Sequence, residues 1–297
     1  MTSTRRSAMP ASRWMGLLGL ALAAMPCAAL ARPADLFFER TVMTAADGRC
    51  GLFTPEVSAA LASGAAQARG AALRAGVDLK SLAETESGAR RYAAQLNCKS
   101  PKVLAEAARV QQAFSGYARV TRMTYPGDAA DWRADRGSGK AARWRLAQDA
   151  TFAGGRLTFG LAGREGANAL VAVAQFADGQ TPYAARLVLR DGTRTLGPYL
   201  DTRGKAASLS RKLPPRGATR AYMAEARSEA EEALLPKGSE DGWAFRFPVA
   251  AAQALADLDP REAIAVEFLF PGERVRTAYL EVGDFAAGRA FLQVAFR

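Results

Sequence analysis

The 297-residue chain predicts an α+β fold: an Ala-rich helical unit, then a mostly antiparallel β domain of meander or sandwich type that closes with a helix. Three observations carry this. Apolar and small residues recur with helical period between residues 44 and 125. From Arg143 the pattern switches to strand-like alternation. Two cysteines, Cys50 and Cys98, bracket the first two predicted helices, where an antiparallel hairpin brings its ends together. The composition, 49% hydrophobic and 23% charged with 27 Gly and 14 Pro, is that of a globular protein and not of a disordered one. The expected organisation is a signal peptide over 1–31, a helical domain with one disulfide over 32–135, and an antiparallel β-rich domain with short helices over 136–297.

The N-terminus reads as an export signal. Arg5, Arg6 and Arg13 make a positive leader, Met15–Met25 is an eleven-residue apolar run, and Ala29-Leu30-Ala31 is a small-x-small cleavage site. Such a run is too short to span a bilayer, which takes roughly 20 apolar residues, and no later segment supplies them. Pro26 before Cys27 departs from a lipoprotein signal, and Ser7-Ala8 after Arg5-Arg6 departs from a twin-arginine one. Cleavage near Ala31 predicts a periplasmic or secreted protein starting at Arg32, with no transmembrane segment. It removes Cys27 and three Arg, so the net charge falls from +11 to +8. The remaining pair, Cys50 and Cys98, then reads as a disulfide. A spacing of 48 positions is far from the Cys-x-x-Cys of redox catalysts.

Three helices follow. Thr54-Pro55-Glu56 combines an N-cap, a first-turn Pro and an acid at the positive dipole end, and Val57, Leu61, Ala65 and Ala68 form one stripe. A second helix is predicted over about 82–96, with Ala89, Tyr92, Ala93 and Leu96 inward. The third starts at Ser100-Pro101 and carries Val103, Ala107, Val110, Phe114 and Tyr117 at alternating spacings of four and three.

The stretch 143–199 predicts an antiparallel meander of about five strands, with turns at Gly154-Gly155, Asp178-Gly179 and Asp191-Gly192. Leu170–Phe176 is a buried strand, and Arg186–Arg190 is a strand with charged flanks. Residues 201–220 form a basic loop. Tyr222–Leu235 fits either a solvated helix or a strand. Trp243–Phe247 alternates as a strand, Pro248 opens a short helix, and Ile264–Phe270 pairs with Arg276–Val282 across Pro271-Gly272. Gly283-Asp284 caps a last helix carrying Phe285, Phe291, Leu292 and Phe296. The close of the chain, Tyr279-Leu280-Glu281-Val282-Gly283-Asp284-Phe285, resembles the invasion-associated locus B-like secreted proteins; no function is carried over from it.

The excluded chemistry is extensive. The chain contains no histidine, which removes Ser-His-Asp triads, Cys-His dyads and His-ligated metals. No Ser sits in a Gly-x-Ser-x-Gly elbow, no Lys follows a Ser at three positions, and Gly204-Lys205 lacks the rest of a phosphate loop. No catalytic residue, metal or cofactor is therefore assigned. Paired carboxylates stay open: Glu281 with Asp284, and Asp128, Asp131 and Asp135 around Trp132, a grouping that also suits sugar contact. Their plainer reading is structural, with Asp284 as an N-cap and Asp128 and Asp131 as turn and helix-start residues. The densest charge feature is the loop, where Arg203, Lys205, Arg211, Lys212, Arg216 and Arg220 make a candidate anion-binding set. Its alternative is a solvated loop neutralised by the acidic stretch Glu225–Glu232.

These features predict an exported, non-catalytic protein that binds envelope components or anionic ligands, with no nucleic-acid partner. The alternatives are a periplasmic adaptor docking a protein through its helical unit, and a His-free carboxylate hydrolase.

Overall fold

In the computed structural model, residues 32–293 are described apart from 140, 165, 196 and 201–207. The export signal with Cys27, the loop residues Arg203 and Lys205, and Phe296 lie outside the described residues. The helical layer opens with an element that the apolar pattern does not reveal: α1 (Pro33–Cys50), with Pro33 in its first turn and Gly51 (φ 60°) as left-handed C-cap. Its inner stripe includes Thr41, whose hydroxyl donates to the Phe37 carbonyl and so enters the interior without an orphaned polar group. A polar residue at an inner position breaks the apolar period, and the helical pattern therefore reads as starting later.

α2 (Pro55–Arg74), α3 (Leu79–Gln95) and α4 (Pro101–Phe114) follow. Ser100 caps α4 as predicted, accepting from the Val103 amide, whereas the Thr54 side chain makes no capping bond. α1 packs against both α2 and α3. Cys50 ends α1, Cys98 follows α3, and the two are bonded with Cα atoms 5.5 Å apart. The expected pairing is present, but the staple joins α1 to α3, with α2 running back between them in sequence. Tyr92, expected inward, is exposed and meets the Phe38 ring at 6.4 Å.

Among the described residues, eleven strands form two antiparallel sheets, so the α+β class stands. The first sheet has the order β1 (Arg122–Tyr125), β2 (Trp132–Asp135), β3 (Arg143–Phe152), β4 (Gly155–Gly163), β5 (Leu170–Phe176), β9 (Trp243–Arg246) and β8 (Ala226–Glu229). The second has the order β11 (Arg274–Glu281), β10 (Ala263–Phe270), β6 (Ala184–Arg190) and β7 (Thr219–Met223). Their inner faces share one apolar core, with Phe159, Ala172 and Phe245 from the first and Leu187, Val266, Phe268 and Leu280 from the second. Two short helices, α5 (Val249–Ala256) and α6 (Phe285–Leu292), add to it.

Several local readings change. The sheet begins at Arg122, not Arg143, because β1 and β2 are four-residue strands whose outward positions are charged or polar. Among the described residues the stretch 143–199 holds four strands, not about five, and they do not make one meander. Gly154-Gly155 does turn β3 into β4, but Asp178-Gly179 leads from one sheet to the other and Asp191-Gly192 opens the long β6–β7 connection. The same turn dipeptide serves a hairpin or a corner, and only the core decides which. The ambiguous Tyr222–Leu235 stretch continues from β7 into β8 and then a 3-10 turn, Glu232–Leu234. Within the first sheet a bulge between Trp144 and Leu146 faces Ala162 and Leu161, and at the next pair Gly160 (φ 154°) stands where a Cβ would run into the Leu146 carbonyl.

At the sheet-to-sheet corner, Asp178 receives a two-pronged contact from Arg276 (2.9 and 2.5 Å), whose guanidinium lies over the Phe270 ring at 4.7 Å. That contact holds the Asp178 carboxyl down at about 2, against an ordinary 3.8. A depressed acid stabilises the fold above its unfolded value and loses that contribution as pH falls through about 2. In Arg276→Gln, an NMR titration of the Asp178 carboxyl carbon is expected to move back toward 3.8. An unmoved titration would remove Arg276 as the cause.

Candidate anion-binding surface

The helical layer is docked to the sheets by a hydroxyl cluster. The Tyr117 hydroxyl donates to Ser63 Oγ (2.8 Å), Ser63 Oγ donates to the Ala287 carbonyl (3.0 Å), and the Tyr125 hydroxyl lies 3.1 Å from Ser63. This fixes α2 against β1 and α6. Arg74 at the end of α2 then reaches Asp284 with two bonds of 2.9 Å. Asp284 does stand at the start of the last helix, yet it makes no cap; its carboxylate belongs to Arg74. Burial pushes the Asp284 carboxyl up, and Arg74 opposes the shift.

Its neighbour Glu281 is fully buried. It accepts from the backbone amides of Asp128 (2.9 Å), Ala129 (2.6 Å) and Ala130 (3.1 Å), closing the β1–β2 turn over β11. Three converging amides form a concave anion site, and here the chain fills it with its own carboxylate. Asp131 precedes a strand rather than a helix and accepts from the Gly127 amide (3.3 Å). Trp132 is 0% exposed and donates its Nε1–H to the Val282 carbonyl (2.9 Å). The sugar-contact reading of Trp132 is therefore overturned: the ring has no face to offer. Both carboxylates of the Glu281–Asp284 pair are committed to holding elements together.

The same end of the second sheet carries the remaining charge. Register places Arg190 opposite Thr219 and Ala263 opposite Glu281, so the end of β6, the starts of β7 and β10 and the end of β11 lie together. Arg190 donates through Nε to Glu262 (2.7 Å), and their side chains are 8% and 0% exposed. Glu262 also accepts from the Asp259 amide (3.0 Å), and Asp259 is bridged by Arg261. Burial pushes the Glu262 carboxyl up, with Arg190 working against it.

Asp191 is the next residue. Its Oδ1 accepts from the Thr193 amide (3.0 Å) and hydroxyl (2.7 Å), and its Oδ2 lies 3.3 Å from Arg194 Nε and 3.7 Å from Arg220 Nε. The Thr193 hydroxyl, more than the cations, holds the Asp191 carboxyl below its ordinary range. The Asp191 amide donates to the Ala218 carbonyl (2.9 Å), and Arg194 Nη1 donates to the Gly217 carbonyl (3.2 Å). Residues 190–194 are thereby laid against residues 216–220.

This divides the predicted basic set. Arg220, on β7, shares the Asp191 carboxylate with Arg194, and Arg216, in the 3-10 turn Arg216–Ala218, precedes Gly217, whose carbonyl accepts from Arg194. Arg211 and Lys212 end the 3-10 turn Leu209–Lys212, which packs across β10 and β11. Arg190 and Arg194 were absent from the set because they flank an ordinary turn signal; nothing in Asp191-Gly192 says that the loop folds back beside it. The neutralising acids are not those expected. Glu225, Glu229 and Glu232 make no ion pair among the described residues, and Asp191 takes the arginines instead.

No family model matches this chain, and neither does any curated protein or solved structure. Among the described residues no group of three or more His, Cys, Asp or Glu is placed to hold a metal ion, and no helix is long and apolar enough to cross a membrane.

Proposed function

We propose that this chain is an exported, non-catalytic envelope protein that binds an anionic component through the arginine-rich end of its second sheet. One observation carries the reading: the fold brings Arg194 and Arg220 to the Asp191 carboxylate and lays the Arg216 turn beside them through the Gly217 carbonyl, leaving all three cationic side chains exposed to solvent. Lys212 and Arg211 extend the surface along β10 and β11. A disulfide suits an oxidising compartment, in keeping with the signal read from the N-terminus.

Other features weigh against the alternatives. The carboxylates that a His-free hydrolase would use are occupied by Arg74 and by backbone amides. The adaptor reading looks to Phe114 and Tyr117 for a docking stripe, yet the Tyr117 ring meets Phe291 edge-on at 5.4 Å, and Phe114 packs over Gly64.

Exposed ion pairs contribute about 0–1 kcal/mol each, so binding needs several cations at once and weakens steeply as screening shortens to about 8 Å at physiological salt. Replacing Arg194, Arg216 and Arg220 with Gln is expected to abolish retention on anionic vesicles at low salt. Wild-type protein is expected to elute as salt rises. Equal retention of the variant would refute the surface as the binding site.

A further inference from the structure

Two arginines form ion pairs with the same oxygen of Asp191. Both Arg194 and Arg220 approach its Oδ2 through Nε, the inner nitrogen of the guanidinium. An Nε contact leaves the outer Nη edges for something else. One of these, Arg194 Nη1, is spent on the Gly217 carbonyl, which fixes the plane of that guanidinium. The carboxylate itself cannot swing away, because Oδ1 is bound by the Thr193 amide and hydroxyl and the side chain is only 6% exposed. The two arginine side chains, by contrast, are 59% and 50% exposed.

We propose that Arg194 and Arg220, ion-paired from behind with Asp191 and flanked by the Arg216 turn, form a receptor for a phosphomonoester dianion. The inference rests on the reading of the arginine-rich end as an anion site, and it names the ligand class for that site. Guanidinium forks match the oxygens of phosphate two at a time. Asp191 offsets one of the two charges of Arg194 and Arg220, and the exposed Arg216 adds another, so two positive charges stand over it unmatched; a phosphomonoester carries about −1.5 to −2 at neutral pH. A phosphodiester brings a single charge and only two free oxygens. Asp191 is a positioning residue: it touches the arginines and not the ligand, and it fixes where their outer edges face.

This arrangement makes an opposite prediction from simple charge attraction. On a diffuse basic patch, deleting the Asp191 charge strengthens anion binding. In the receptor it frees two side chains and weakens binding.

The experiment compares retention of the full chain on phosphatidylcholine vesicles carrying either phosphatidic acid, a monoester, or phosphatidylglycerol, a diester, at matched surface charge. Wild-type protein is expected to prefer the monoester roughly tenfold, the effect of one added charge-assisted fork. Asp191→Asn and Arg194→Gln are each expected to lose that preference. Should Asp191→Asn also lower the melting temperature, Arg194→Gln, altering a mostly exposed side chain, carries the test. Displacement by free inorganic phosphate identifies the soluble group as sufficient, and resistance identifies the lipid-borne one; both keep the ligand class. Equal retention on the two vesicles, or Asp191→Asn binding as tightly as wild type, would overturn the receptor while leaving general anion binding intact. Retention on neither vesicle would overturn both.

Discussion

Glu262→Gln is expected to destabilise the protein by about 3–5 kcal/mol, the cost of stranding one member of a buried ion pair. Arg190 is 8% exposed and Glu262 fully buried, so the guanidinium left behind finds neither a counter-charge nor water. The pair is not for that reason a large net source of stability. Burial holds the Glu262 pKa above its ordinary 4.5 even with Arg190 in contact. An acid raised in the folded state favours folding below its unfolded pKa, and that contribution is lost as pH rises through the folded value. Desolvation thus competes closely with the Coulomb attraction. Replacing both members with apolar residues of similar size, Arg190→Met with Glu262→Leu, is accordingly expected to recover most of the loss. Urea unfolding of the single and double variants measures this. A single variant within about 1 kcal/mol of wild type, the typical effect of an arbitrary point mutation, would show that Arg190 does not depend on its partner.

Removing the Cys50–Cys98 bond is expected to cost about 4 kcal/mol by the chain-entropy argument, given its separation of 48 positions. The bond ties the last turn of α1 to the segment after α3, where Arg49 also donates to the carbonyls of Ala93 and Leu96. Without the staple, that end relies on modest apolar contacts, with Val42 and Ala46 against Ala89 and Ala93. Ala side chains bury little surface, so the covalent link substitutes for a thicker core. Reductant should shift the wild-type urea midpoint to that of Cys50→Ser/Cys98→Ser and leave the double variant unmoved. Coincident midpoints for oxidised and reduced wild-type protein would contradict the assignment of stability to the bond.

Much of the site and some of the fold were legible because their signals are local. Ser100-Pro101 announces α4, Leu170–Phe176 announces a strand buried on both faces, and Pro271-Gly272 announces the β10–β11 turn. Arg216 and Arg220 stood out as charge. α1 was obscured because Thr41 satisfies its hydroxyl within its own helix, and β1 and β2 because four residues hold too few alternations to separate from a loop. Asp284 was placed correctly in the chain and misjudged in role, since a carboxylate at a helix start serves a cap or a distant arginine equally well.

Local chemistry alone settled the α+β class, the cysteine pair and the exclusion of histidine-dependent catalysis, since each follows from residue type, period or count. Packing settled everything that depends on which segments meet. It turned Asp178-Gly179 from a hairpin into a corner between sheets, buried Trp132, committed Glu281 to three backbone amides, and brought Arg194 to Gly217 and, at Asp191, to Arg220 across more than twenty residues of chain. Such pairings are chosen by the shared apolar core of the two sheets. A charged side chain carries no mark in the sequence of which strand end it will be carried to.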